Sequence, residues 1–84
     1  MENYLDIDVN TKQDFIKFIA LLHKDFLKNG NKWENNTLQH FLEALHRYSK
    51  DIEGYYDNTH QATNADNASW KVFADMLKGA TIYE

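Results

Sequence analysis

The chain has no cysteine and no proline, and only three glycines in 84 residues. Without cysteine there is no disulfide framework, no thiolate nucleophile and no thiolate metal ligand, so stability has to come from packing. Without proline no kink or rigid linker is written into the chain. Gly30, Gly54 and Gly79 stand apart from one another, so they cannot form a phosphate-cradling loop. Serine occurs only at Ser49 and Ser69, neither flanked by the glycines of a nucleophile elbow. The first thirty residues lack a basic start followed by an unbroken apolar run, and Lys24 and Asp25 interrupt the longest apolar cluster. Neither a signal peptide nor a membrane span is readable, and a cytoplasmic protein is the simplest expectation.

Basic charge is also scarce. Nine Lys and Arg stand against thirteen Asp and Glu, for a formal net charge of −4, and the nine are scattered rather than gathered into a stripe. Nucleic-acid binding therefore lacks its electrostatic driving force. What the chain does have is core material: 43% of its residues are hydrophobic and 14% aromatic, enough to expect one ordered domain spanning residues 1–84.

The patterning is helical. Leu5, Ile7 and Val9 alternate with Asp6 and Asp8, a strand-like period too short to stand alone, and predict an extended arm lying on helices. Thr11 with Asp14 three residues on is close to a capping box, and Phe15, Ile16, Phe18, Ile19, Leu22 and Phe26 then recur at helical spacing. With Asn29-Gly30-Asn31 as the stop, the first helix is expected at about 11–29. Asn36 or Thr37 can cap a second helix, expected at about 37–56. Its apolar stripe is Leu38, Phe41, Leu42, Leu45, Tyr48 and Ile52, and it continues past Gly54 through Tyr55-Tyr56. Residues 57–67 hold no large apolar side chain and predict a long polar loop. A third helix, expected at 68–82 with Asp66 or Asn67 as its cap, carries Trp70, Phe73, Ala74, Leu77 and Ala80 as its buried stripe. The fold expected is all-α, a small three-helix bundle whose first two helices are antiparallel neighbours with the third across their groove.

Candidate chemistry is thin. Glu43-x-x-His46 has the spacing of a bundle metal ligand pair, but a di-metal site needs two such pairs and two more carboxylates, and Glu43 has Arg47 as an i+4 partner. His23, His40 and His60 have no sequence-local orienting group. The expectation is no catalytic residue, no metal and no cofactor, with a metal-dependent or other small enzyme built on Glu43 and His46 as the alternative. The aromatic residues remain, because large amphipathic rings are the side chains that most often anchor protein interfaces. Tyr55, Tyr56 and Trp33 sit at helix ends beside loops and are the rings expected to be partly exposed. With Glu34 and Glu84 they make up the candidate interaction surface.

Trp33-Glu34-Asn35, Thr37-Leu38, Phe41-Leu42-Glu43-Ala44, Tyr55-Tyr56, Trp70, Ala80 and the closing Tyr83-Glu84 resemble an uncharacterised family of small bacterial proteins, described only as a domain of unknown function. The resemblance covers most of the chain from Val9 onward, and it implies no activity and no catalytic residue. Function thus reads as unknown. The reading favoured is a non-enzymatic protein-binding module, by analogy an immunity-like partner of a bacterial toxin, with a purely structural or dimerisation domain as a further alternative. The partner expected is a protein rather than nucleic acid or membrane, and the chain itself a monomer or homodimer. Trp33, Glu34 and Asn35 also admit a structural role, the ring wedged between helices and the polar groups tying down the start of the second helix.

Overall fold

The computed structural model describes residues 3–83 and consists of three α-helices with no strand among those residues. α1 runs Lys12–Asn29, α2 Leu38–Asn58 and α3 Trp70–Ala80. Two short 3-10 turns, Tyr4–Asp6 and Gly30–Lys32, lie before and after α1.

The caps explain where the helices start. Thr11 accepts from the Asp14 amide, and the Asp14 carboxylate accepts from the Thr11 and Asn10 amides, which closes the capping box. Those backbone donors, Asn10 first, hold the Asp14 carboxyl below its ordinary range. Thr37, not Asn36, caps α2 by accepting from the His40 amide. α3 is capped by Ser69 and not by Asp66 or Asn67, so it begins two residues later than its sequence suggests. Gly54 does not end α2, which continues to Asn58. A Cβ at Gly54 would meet nothing within 4 Å, so the glycine there answers to no packing demand.

The packing order departs from the expected one. α1 and α2 are not neighbours along their lengths; α3 lies between them and packs against both, more extensively on α2. A short connection between two helices does not oblige them to pack when a third, more apolar helix offers each a better surface. The core is accordingly divided. On one side Tyr4, Val9, Phe18, Leu22 and Ala74 cluster, with Trp33 and Leu77 against them; on the other Ile52, Tyr56 and Val72 cluster, with Tyr48, Ala65 and Met76. Close approach of α2 and α3 depends on Gly79, where a Cβ would fall 2.1 Å from the Tyr48 ring.

The N-terminal arm is only partly extended. Asn3 accepts from the Leu5 amide and starts a 3-10 turn, which breaks the alternation and leaves Leu5 exposed while Tyr4 and Val9 are buried. The arm is fastened to the end of α3: the Tyr4 hydroxyl pairs with Thr81 Oγ1 at 2.8 Å, and Lys78 Nζ donates to the Ile7 carbonyl at 2.6 Å. The loop before α3 is also tied down, with the Gln61 amide donating to the Tyr56 carbonyl, the Ala65 amide to Glu53 Oε1, and Lys71 Nζ to Gln61 Oε1. His60, at φ 57°, turns the chain out of α2.

Candidate functional site

Trp33 is a hinge of side chains between α1 and α2. Its ring packs against Phe26 of α1 (centroids 5.1 Å apart), Phe41 of α2 (6.1 Å) and Tyr4 of the arm (5.8 Å). Its indole N–H donates to Asp25 Oδ2 at 2.8 Å, and Asp25 also accepts from Asn29 Nδ2. That explains an acidic residue on the inner side of α1: a carboxylate there satisfies the one polar atom of a packed tryptophan. Asn35 is equally structural, but not at the expected place. Its side-chain amide donates to the carbonyls of Ala80 (2.9 Å) and Tyr83 (2.6 Å), and its backbone N–H donates to the Thr81 carbonyl. It therefore closes the C-terminal end of α3, whose last carbonyls have no partner within the helix. Glu34 is exposed.

The remaining candidates separate. Tyr56 is wholly buried, 0% exposed, and its hydroxyl donates to Asp75 Oδ2 at 2.8 Å, so it is withdrawn from the interaction surface. It is buried because α2 runs on past it and the Gln61–Ala65 segment folds back over that turn, whereas a helix ending at residue 56 would have left it open. Asp75 also receives Lys71 Nζ at 2.7 Å and has Lys78 Nζ at 3.8 Å, a small ion network that holds α3 to α2 and to the arm. Tyr55 is exposed, but it lies roughly 25 Å along α2 from the Trp33 end at 1.5 Å per residue. Glu84 lies outside the described residues.

Two concavities border these residues, each of about 230 Å³. The first is lined by Tyr48, Tyr55, Asp75, Lys78, Gly79 and Ile82, with Leu5 of the arm at its edge. Burial pushes the Tyr48 hydroxyl up to about 12, while the charges at the base are already paired. The Tyr83 hydroxyl beside it donates to Asp51, which raises its pKa above the ordinary value.

The second is almost entirely apolar and is made by the motif residues themselves: Trp33, Asn35, Asn36, Thr37 and Leu38, with Phe26 and Phe41. It opens beside the first turn of α2. α2 has 21 residues and spans roughly 31 Å, close to the 33 Å longest dimension of the molecule, while α3 has 11 residues and spans roughly 16 Å. At the start of α2 Ala44 is fully buried and Phe41 half-buried, whereas the stripe residues Leu38 and Leu42, turned about 60° and 100° away from Phe41 around the helix, are 74% and 53% exposed. Both belong to the predicted buried stripe, so that expectation is corrected, as it is for the half-exposed Trp70 and Phe73 of α3. Periodicity identifies an apolar face, and it does not say how far along that face the partner helix reaches.

No group of three or more His, Asp or Glu positioned for a metal ion occurs among the described residues, and Glu43 is engaged with Arg47 Nε at 3.8 Å on an exposed face. His23, His40, His46 and His60 are all exposed. No helix among the described residues is long and apolar enough to cross a membrane. No curated protein and no solved structure matches the chain. A family model does, over residues 11–84, so all of the motif, the groove and the three helices fall within it while the arm precedes it: the chain belongs to the family described as "Family of unknown function (DUF7660)".

Proposed function

We propose that this chain is a non-enzymatic protein-binding module whose docking site is the apolar groove built by Phe26, Trp33, Leu38 and Phe41, with the exposed Leu42 one turn further along α2. The observation that carries the reading is the exposure of Leu38 and Leu42 beside a concave apolar wall. Exposed apolar surface next to a rigid aromatic anchor is costly to leave in water and is the arrangement that protein partners cover. Support also comes from the division of labour within the motif, where Asn35 and Thr37 are engaged with backbone while Trp33 and Leu38 face the groove.

The reading revises the surface expected from sequence: Trp33 stays, Glu34 is a polar neighbour, and Tyr55 lies outside the groove. An immunity-like role toward a bacterial toxin, in the cytoplasm, is one form of this proposal and rests on analogy of size and charge alone. The test is a pull-down from native extract with wild-type protein and with Leu38→Glu/Leu42→Glu, in which the variant changes only exposed side chains. A partner retained by wild type and lost by the variant supports the groove. A partner retained equally by both, or none with either from a bait that is monomeric, refutes it.

A further inference from the structure

We propose that the groove's occupant is a second copy of this chain, so that the protein self-associates through the α1–α2 face; this rests on the groove being a docking site, and it names the partner. The first ground is the imbalance of apolar surface. Among the described residues eleven large hydrophobic side chains are exposed, against ten buried hydrophobic residues of which three are alanines. A monomer with so divided and small a core gains from covering that surface.

The second ground is where the surface lies. At 3.6 residues per turn, Ile16, Ile19, His23, Phe26 and Leu27 fall on one flank of α1, while Lys17, Lys24 and Lys28 fall on the other. The apolar flank meets the groove at Phe26, which lines it together with Leu38 of α2, and Leu42 follows one turn on. Ile16, Ile19, Phe26, Leu27, Leu38 and Leu42 are each between 38 and 74% exposed. At roughly 150 to 250 Å² for a fully accessible large apolar side chain they present on the order of 600 Å² per copy. Two copies then cover roughly 1,200 Å² of apolar surface alone, at the threshold of a stable specific interface, before any polar rim is added.

The third ground is shape. A two-fold interface must be self-complementary, with a projection and a recess on the same face. Leu38 lines the recess with Phe26, Trp33 and Phe41, and Leu42, one turn on along α2, is 53% exposed, so exposed leucines and an apolar recess share this end of α2. Two copies related by a two-fold axis therefore place each leucine pair into the other's recess.

Light scattering after size exclusion, over a range of protein concentrations, tests the assignment, together with binding of an apolar fluorescent dye. Wild type is expected at twice the chain mass of 9.9 kDa. Leu38→Glu/Leu42→Glu is expected at 9.9 kDa, with dissociation eased by roughly 30-fold or more per leucine if each is a hot spot. Ile82→Glu, at an exposed position lining the other concavity, serves as the control and is expected to remain dimeric. Leu27→Glu is a second route to the monomer should the double variant misfold by circular dichroism. A dimer that survives both Leu38→Glu/Leu42→Glu and Leu27→Glu overturns the assignment. A wild-type monomer at every concentration overturns the second copy. In that case dye binding lost in Leu38→Glu/Leu42→Glu leaves the groove as a site for a different protein, and no dye binding at all removes the docking reading as well.

Discussion

Gly79→Ala should destabilise the fold, although alanine is ordinarily the better helix residue. Gly79 lies in α3 against the Tyr48 ring, and a Cβ there falls 2.1, 2.3 and 2.4 Å from Cε2, Cδ2 and Cζ of that ring. Carbon atoms pack at about 3.5 Å or more, so the ring has to retreat by at least about 1.4 Å. Tyr83 stands edge-on to it at 5.1 Å and Tyr55 lies at 6.4 Å, so the retreat is confined to the side of the concavity that Tyr48, Tyr55 and Gly79 line. Overpacking of this kind costs roughly 1 to 3 kcal/mol. Removing a helical glycine returns about 1 kcal/mol, so the net loss is expected at up to about 2 kcal/mol.

Gly54 supplies the internal control. It is also helical, but a Cβ added there would have no neighbour within 4 Å, so Gly54→Ala should raise stability by about 0.5 to 1 kcal/mol. The assay is urea unfolding of Gly54→Ala, Gly79→Ala, Tyr48→Ala and Gly79→Ala/Tyr48→Ala. In the double variant the two effects should fail to add by about 1 kcal/mol or more, because each substitution relieves the other. If Gly79→Ala is stabilised as much as Gly54→Ala, α2 and α3 do not meet at this glycine and the packing order described above is wrong.

Other expectations follow from the motif and the tyrosines. Trp33→Ala should lower stability by about 3 kcal/mol, the low end for a large aromatic because the ring is only partly buried, and wild-type-like urea unfolding would refute its wedge role. Asn35→Ala leaves the Ala80 and Tyr83 carbonyls without the side-chain donor, at a cost of about 1 to 3 kcal/mol, with amide exchange quickening first at the end of α3; unchanged protection there would refute the tie. Burial raises the hydroxyl pKa of Tyr4, Tyr48 and Tyr56, with Tyr48 at about 12. Because the folded values lie above the unfolded value of 10.0, the native state holds these protons longer. The stability they contribute is complete below pH 10 and is lost as pH rises toward 12 and beyond. Phenolate absorbance should therefore rise later in native than in urea-unfolded protein, and coincident titrations would refute it.

Local chemistry was the legible part of the chain. The Thr11–Asp14 capping box, the stop near Asn29 and the three amphipathic stretches are dictated by nearest neighbours, and all three helices lie where those signals point. What could not be read depends on residues far apart in sequence. Leu38 and Leu42 carry the periodicity of core positions but lie at the edge of the buried face, turned away from half-buried Phe41 and fully buried Ala44, and are exposed. Tyr56 has the position of a helix-end residue, yet it is covered by a loop that folds back through the Ala65–Glu53 and Gln61–Tyr56 bonds. Asn35 looks like part of a cap for α2 and instead closes α3, whose end lies 45 residues on. Asp25, which in sequence only interrupts an apolar run, is the acceptor for the Trp33 indole. Of the residues named for the candidate surface, Trp33 lines the groove, whose other walls come from Phe26 of α1 and Phe41 of α2 and are brought together only by the fold.

Leu38 and Leu42 lie outside the core, on an open face. The most direct measurement is the urea unfolding free energy of Leu38→Glu/Leu42→Glu against wild type, taken at protein concentrations where both are monomeric. Exposed substitutions of this kind stay within about 0.5 kcal/mol of wild type apiece, and that small change is the result expected. A loss of several kcal/mol, of the size that follows from placing charge in a packed interior, would show that the face is closed in the folded monomer and would contradict the account.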